Sequence, residues 1–254
     1  MTPFHALAIF AAGIFAGTIN TVAGSGTLVT FPVLLAFGYP PVVANVSNTV
    51  GLVPGSASGA LGYRRELSGQ RRRLLPLAAA SLAGGIVGAV LLLSLPAAAF
   101  ASIVPVFIGI ALVLIVVQPH LSRMMAARRP QQRRREGRAG PAITAAVGLG
   151  GIYGGYFGAA QGIFNLAVLT LGHDDDLQRL NATKVVLTGL VNLVSGIVFV
   201  FAAHVAWGAA GLIAGGSLLG GVLGARVGRR LPPTVLRGVI VVVGLFAIVH
   251  LLAG

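Results

Sequence analysis

Apolar segments of about twenty residues, the length that crosses a bilayer, follow one another along this chain with almost no charge inside them. Clean spans are expected at residues 42–63, 74–95, 97–117, 181–203, 207–225 and 232–253. The chain of 254 residues is 56% hydrophobic and 9% charged, where a water-soluble domain carries about a quarter charged residues. The fold class that follows is an all-α polytopic membrane protein, with lipid as its solvent. Gly is frequent, at 37 residues, as in transmembrane helices packed backbone to backbone.

Two further stretches are too long and too interrupted to be single spans. Residues 4–37 are broken at Gly24-Ser25-Gly26 and by Pro32, and residues 141–171 are broken around Gly158 to Gly162. The second piece of each is about ten residues, half a bilayer at 1.5 Å per residue. Each reads as a helix followed by a re-entrant half-helix, with the half-helices starting at Thr27 and Ile163.

The net charge of +13 raises the possibility of nucleic-acid binding. The basic residues instead sit between apolar segments, at 64–73, 123–138 and 226–230, as cytoplasmic loops do under the positive-inside rule. The expected partners are membrane lipids and a small anionic substrate, with no nucleic acid. There is no Cys, which excludes disulfides and thiolate chemistry. The first Lys or Arg is Arg64, so the basic start of a cleavable signal is missing and the first apolar segment is expected to be retained. No cofactor or metal site is expected.

The chain repeats itself. One constant shift carries Ser81-Leu82-Ala83-Gly84-Gly85 onto Ser217-Leu218-Leu219-Gly220-Gly221, Leu95-Pro96 onto Leu231-Pro232, and Asn45-Val46-Ser47-Asn48 onto Asn181-Ala182-Thr183-Lys184. Upstream, with a small slip in register, Gly24 falls on Gly158 and Gly38 on Gly172. The expected organisation is a first membrane repeat at 1–117, a basic cytoplasmic linker at 118–140 and a second membrane repeat at 141–254. The basic loop at 64–73 aligns with a stretch that has no Lys or Arg, while Arg226, Arg229 and Arg230 align with Val90, Leu93 and Ser94. Equivalent loops with opposite bias face opposite sides of the membrane. The expectation is therefore two inverted-topology repeats, each with a broken or re-entrant first element plus three transmembrane helices. That architecture suits alternating access about a site at the breaks.

The opening run is similar to that of the TauE/SafE-type sulfite exporter family. It holds Gly13, Gly17, Asn20, Gly24-Ser25-Gly26, Pro32, Gly38, Pro41 and Asn45-Val46-Ser47-Asn48. A weaker echo runs from Gly148 to Lys184, where this chain has Ala160-Gln161-Gly162 and no Pro between Pro141 and Pro232. The resemblance implies transport of small sulfur-containing anions, such as sulfite or organosulfonates, by a multi-pass protein of a bacterial inner membrane.

A half-helix start offers free N–H groups and partial positive charge to an anion. Asn20, Ser25, Gly26, Thr27, Gln161 and Asn165 cluster around the two breaks and are candidate substrate-binding residues. Asn48, Thr183 and Lys184 join them from the repeated motif. Lys184, the only lysine, either attracts an oxyanion, snorkels to headgroups or pairs with Asp174 to Asp176. Those aspartates precede a helix and read as caps. Tyr153 and Tyr156 flank the second break and either line a pathway or pack. All five acids fall in loops, so a carboxylate proton relay within the membrane is not expected. Histidines lie at segment ends without a paired spacing, which argues against an intramembrane enzyme; the remaining alternatives are a structural subunit or a carrier of another small solute.

Overall fold

A computed structural model of the chain describes residues 1–128, 140–173 and 175–227, together with 238, 241 and 242. Among these residues there are nine helices and no strand. They are α1 (Pro3–Val22), α2 (Thr27–Ala36), α3 (Pro41–Gly62), α4 (Arg71–Ser94), α5 (Ala97–Arg128), α6 (Pro141–Tyr156), α7 (Gln161–Gly172), α8 (Leu177–Ala202) and α9 (Trp207–Val227). Five are long and apolar enough to cross a membrane: α1, the 97–117 part of α5, α4, α8 and α9. The protein is a multi-pass membrane protein. The expected span at 232–253, apart from residues 238, 241 and 242, and the 129–139 part of the linker lie outside the described residues; α5 carries helix as far as Arg128.

Local chemistry sets the helix starts. Pro3, Pro41 and Pro141 occupy first helical positions, where a missing N–H costs nothing. Asp176 caps α8 by accepting from the Gln178 N–H at 3.0 Å, the capping role expected of the acidic run; Asp174 lies outside the described residues. The 22-residue α3 is not among the five apolar spans. It carries Asn45, Ser47, Asn48, Thr49, Ser56 and Ser58, all buried. It can do so because α1, α2, α5, α8 and α9 all pack on it, so its polar groups meet protein and not lipid.

The helices pack by glycine seams. A Cβ on Gly17 of α1 would stand 2.8 Å from the Ser217 Cα of α9, and one on Gly151 of α6 would stand 2.9 Å from the Ser81 carbonyl of α4. Reciprocally, Gly220 abuts the backbone of Ile14 and Thr18, and Gly84 that of Gly148 and Ile152. These are the same contacts under exchange of the repeat units. The exchange is general: α1 packs on α9 as α6 packs on α4, and α3 packs on α9 as α8 packs on α4. Gly189 approaches Ser56 while Gly196 approaches Val50 and Val53, so the equivalent helices α3 and α8 run antiparallel at the centre.

The half-helices are α2, of 10 residues, and α7, of 12. The first starts at Thr27 as expected. The second starts at Gln161, two residues ahead of the expected Ile163, because Ala160 makes the left-handed turn (φ 59°) and frees Gly162 to be helical. A side chain in that region costs about 1–2 kcal/mol. Ala160→Gly is therefore expected to raise stability, by up to about 1 kcal/mol after the added freedom of the unfolded chain is subtracted. Thermal unfolding in detergent reads this out; a lower midpoint would contradict the strain.

Candidate functional site

Both broken helices end by the same device. The Ala23 and Gly24 N–H groups converge on the Ile19 carbonyl at 2.7 and 2.9 Å, and those of Phe157 and Gly158 on the Tyr153 carbonyl at 2.9 and 3.1 Å. Gly24 and Gly158 both have left-handed φ, +85° and +80°, which glycine adopts without steric penalty. Tyr153 then spans the second break, its hydroxyl donating to the Ala159 carbonyl at 2.6 Å. Tyr156 packs edge-on against Phe100 and Phe107.

The two breaks meet backbone to backbone. The Gly162 N–H donates to the Gly24 carbonyl at 3.0 Å. A Cβ on Gly24 would stand 2.5 Å from the Gly162 Cα, so only glycine permits the approach. The Lys184 stem passes beside this crossing: its Cδ lies 3.2 and 2.9 Å from where Gly24 and Gly162 would carry a Cβ. Its Nζ donates to the Asn20 and Thr21 carbonyls at 3.0 and 3.2 Å, in the last turn of α1. Lys184 is fully buried, so it does not snorkel. It does not pair with Asp175, which is held by Arg73 and Arg179.

The repeated Asn-x-Ser/Thr motif ties the halves together. Asn45 Nδ2 donates to the Tyr156 carbonyl at 2.9 Å, and Asn181 Nδ2 to the Thr21 carbonyl at 3.3 Å. Each asparagine thus caps the cut helix of the other half. Ser47 Oγ accepts from the Ala206 N–H at 2.9 Å, at the turn before α9. Thr183, its repeat equivalent, donates to Gln70 Oε1 at 2.9 Å, at the turn before α4. Thr183 therefore faces the α3–α4 connection and is not brought to the breaks. The motif around Asn181 and Thr183 was expected to shape the site; Asn45, Ser47 and Gln70 were not singled out as functional by sequence reasoning, although two of them lie in the repeated motif.

The two breaks differ in how their polar groups are satisfied. At the first, Asn48 Nδ2 donates to Thr27 Oγ1 at 3.2 Å and Thr30 donates to Asn48 Oδ1. Gly26 packs on α1, 2.5 Å from the Ala16 carbonyl if given a Cβ. Asn20, half-buried, reaches Ser56 at 3.4 Å. At the second, Gln161 Nε2 and both side-chain polar atoms of Asn165 are buried without a partner. Ser25 Oγ and Asn181 Oδ1 are in the same state. The amides of Gln161 and Asn165 lie over Gly154 and Gly150, where any Cβ would collide with them. The glycine stripe of α6 thus makes room for two amides as well as for α4.

Away from the breaks, Asp175 accepts from Arg73 at 2.9 Å and from Arg179 at 3.0 Å, joining the start of α4 to the start of α8. Gln70 Nε2 adds a bond to the Arg179 carbonyl at 3.2 Å. Burial alone would raise the Asp175 carboxyl; the Asp176 N–H, Arg179 and Arg73 together outweigh it and hold it below its ordinary value. His173, at the α7–α8 connection, is pushed below its ordinary 6.5 by burial and then by the charge of Arg73, against the opposing pull of Asp175. The unfolded chain therefore takes up the His173 proton more readily. The stability it contributes is full above pH 6.5 and is lost as pH falls from there toward the folded value. His173→Gln is expected to flatten the thermal midpoint across that window; an unchanged pH profile would remove His173 as the cause.

The sulfite exporter TauE/SafE family model matches residues 9–251. A probable membrane transporter protein, ORF9, of Sinorhizobium is 30% identical over 98% of this chain and 94% of its own length. The probable membrane transporter YfcA of Escherichia coli is 31% identical over 88% of this chain and 79% of its own. A probable membrane transporter of Haemophilus influenzae is 27% identical over 92% and 89%. No solved structure matches the chain.

Proposed function

Because the chain belongs to the TauE/SafE sulfite exporter family of membrane transporters, we propose that it moves a small oxyanion, sulfite or an organosulfonate, across a bacterial inner membrane through the junction of its two breaks. The observation that carries this reading is a buried cation at the crossing of the two breaks, with orphaned polar groups on the elements that form them. Lys184 is sealed from water with no carboxylate bonded to it among the described residues, while Ser25, Gln161 and Asn165 lack partners. An unpaired buried charge costs several kcal/mol, and unmatched polar groups about 1–3 kcal/mol each. An oxyanion would relieve both.

Gln161 and Asn165 then bind substrate, Lys184 supplies its counter-charge, and Asn48 with Thr27 supports the first break. The described acids Glu66, Asp175 and Asp176 lie in the connections between helices, so the anion is driven by its own gradient and by membrane potential. Potential contributes about 2.3 kcal/mol per charge per 100 mV. Two inverted halves rocking about the junction provide alternating access. The antiparallel α3–α8 pair, the exchange of contacts between halves and the opposite bias of equivalent loops support that geometry.

Sulfite flux into proteoliposomes at a set potential, with Asn165→Leu beside the parent, tests the reading. A substrate ligand gives flux at least about tenfold lower with a thermal midpoint unchanged or raised, since an orphaned amide is removed. A purely structural amide gives a lower midpoint. No sulfite flux by the folded parent would sink the substrate assignment.

A further inference from the structure

Three guanidiniums and a cavity meet where the α3–α4 connection faces the start of α8. The cavity is about 860 Å³ and is lined by Arg72, Arg73, Arg179 and Asp175, together with Leu75 and Pro76. It is independent of the transport junction: Thr183 turns toward it through Gln70, whereas Lys184, the next residue, turns away to α1.

The charges around it do not balance. Asp175 is shared by Arg73 and Arg179, and Arg72 is exposed with no ion pair among the described residues. Among the described lining residues, one carboxylate therefore faces three guanidiniums. Arg73 is only 13% exposed in its side chain, yet its Nε is buried without a partner. Guanidinium forks match tetrahedral oxyanions through paired N–H donors, and phosphate best of all. Leu75 and Pro76 lie three and four residues beyond Arg72, on the same face of α4, and Leu75 is 60% exposed on this transmembrane helix. A ligand that met both the guanidiniums and this apolar surface would carry an oxyanion at one end and hydrocarbon at the other. By the placement of basic loops, this end of the molecule is cytoplasmic, where anionic headgroups are concentrated.

We propose that this cavity binds a phosphate oxyanion, presented by an anionic phospholipid of the cytoplasmic leaflet, between Arg72, Arg73 and Arg179. A phosphate there competes with Asp175 for two of its partners. Occupancy would thus bear on the bridge that holds α4 of the first half to α8 of the second.

The test is a titration of the purified full-length chain in zwitterionic detergent. Short-chain phosphatidylglycerol, short-chain phosphatidylcholine and sodium phosphate are each added while the thermal midpoint is followed. Parent, Arg72→Gln and Arg226→Gln are compared, Arg226 being a basic residue on the last turn of α9 and not part of this cavity. Phosphatidylglycerol is expected to raise the midpoint of the parent and of Arg226→Gln, and phosphatidylcholine to leave both unmoved. Arg72→Gln, with its midpoint in the absence of lipid unchanged, is expected to need about tenfold more phosphatidylglycerol. A response to sodium phosphate equal to that of the lipid keeps the site and assigns it to a free oxyanion. Equal affinity in all three proteins, or equal loss in both variants, means diffuse charge attraction and overturns the site.

Discussion

Lys184→Met is expected to lower anion flux by about two orders of magnitude while changing the stability of the folded chain little. Two opposing terms set the stability. Removing the ammonium deletes two charge-assisted bonds to the Asn20 and Thr21 carbonyls, each worth about 1.5–3 kcal/mol. It also removes the desolvation cost of a sealed charge, of similar size. Thr21 keeps its bond from Asn181 in either case. The substrate has no such compensation, because among the described residues no other cation touches the junction. Losing a buried counter-charge at about 3–5 kcal/mol corresponds to a factor of a hundred or more. Lys184→Arg is not expected to rescue it, since a longer side chain with a rigid planar fork does not reproduce the compact ammonium seated between the Asn20 and Thr21 carbonyls. Flux in Lys184→Met within threefold of the parent would reduce Lys184 to a cap on α1 and leave anion binding to the amides.

Gly24→Ala is expected to be strongly destabilising. The new side chain would sit at φ +85° and press within 2.5 Å of the Gly162 Cα. Left-handed strain of about 1–2 kcal/mol and overpacking of about 1–3 kcal/mol add to about 2–5 kcal/mol. Gly38 supplies the internal control. Its φ is +82°, but a Cβ there meets no atom within 4 Å. Gly38→Ala should therefore lose only the conformational part. The difference between the two thermal midpoints isolates the crossing of the breaks; equal losses would mean that the two breaks do not touch.

The broken elements were legible because they are written in one residue type at one place. Gly24-Ser25-Gly26 interrupts an apolar run that would otherwise continue, and α2 begins at Thr27 as the interruption dictates. The start of the second half-helix was misplaced by two residues because Ala160, which gives no signal of left-handed geometry, makes the turn and lets α7 begin at Gln161. The glycine stripes were legible as helix contacts, but not that Gly150 and Gly154 also admit the amides of Asn165 and Gln161. Which neighbour a buried polar group meets depends on pairing between distant helices. Thr183 and Lys184 are adjacent, yet one serves Gln70 and the other α1. Nothing local distinguishes a lysine that reaches water from one that reaches another helix's last carbonyls. The duplicated Asn-x-Ser/Thr motif carried the signal for the reciprocal caps, which becomes readable only when the halves are seen to cap each other.

The seam between α1 and α9 also bears on how the molecule is made. The bare backbone of Gly13 and Gly17 is matched by Ile213, Gly216 and Ser217, at the far end of the described chain. At a synthesis rate of about 5–20 residues per second, α1 is threaded into lipid roughly 10–40 s before its partner leaves the ribosome. Throughout that interval the nascent first half keeps an uncovered groove, and any chain released before α9 keeps it permanently.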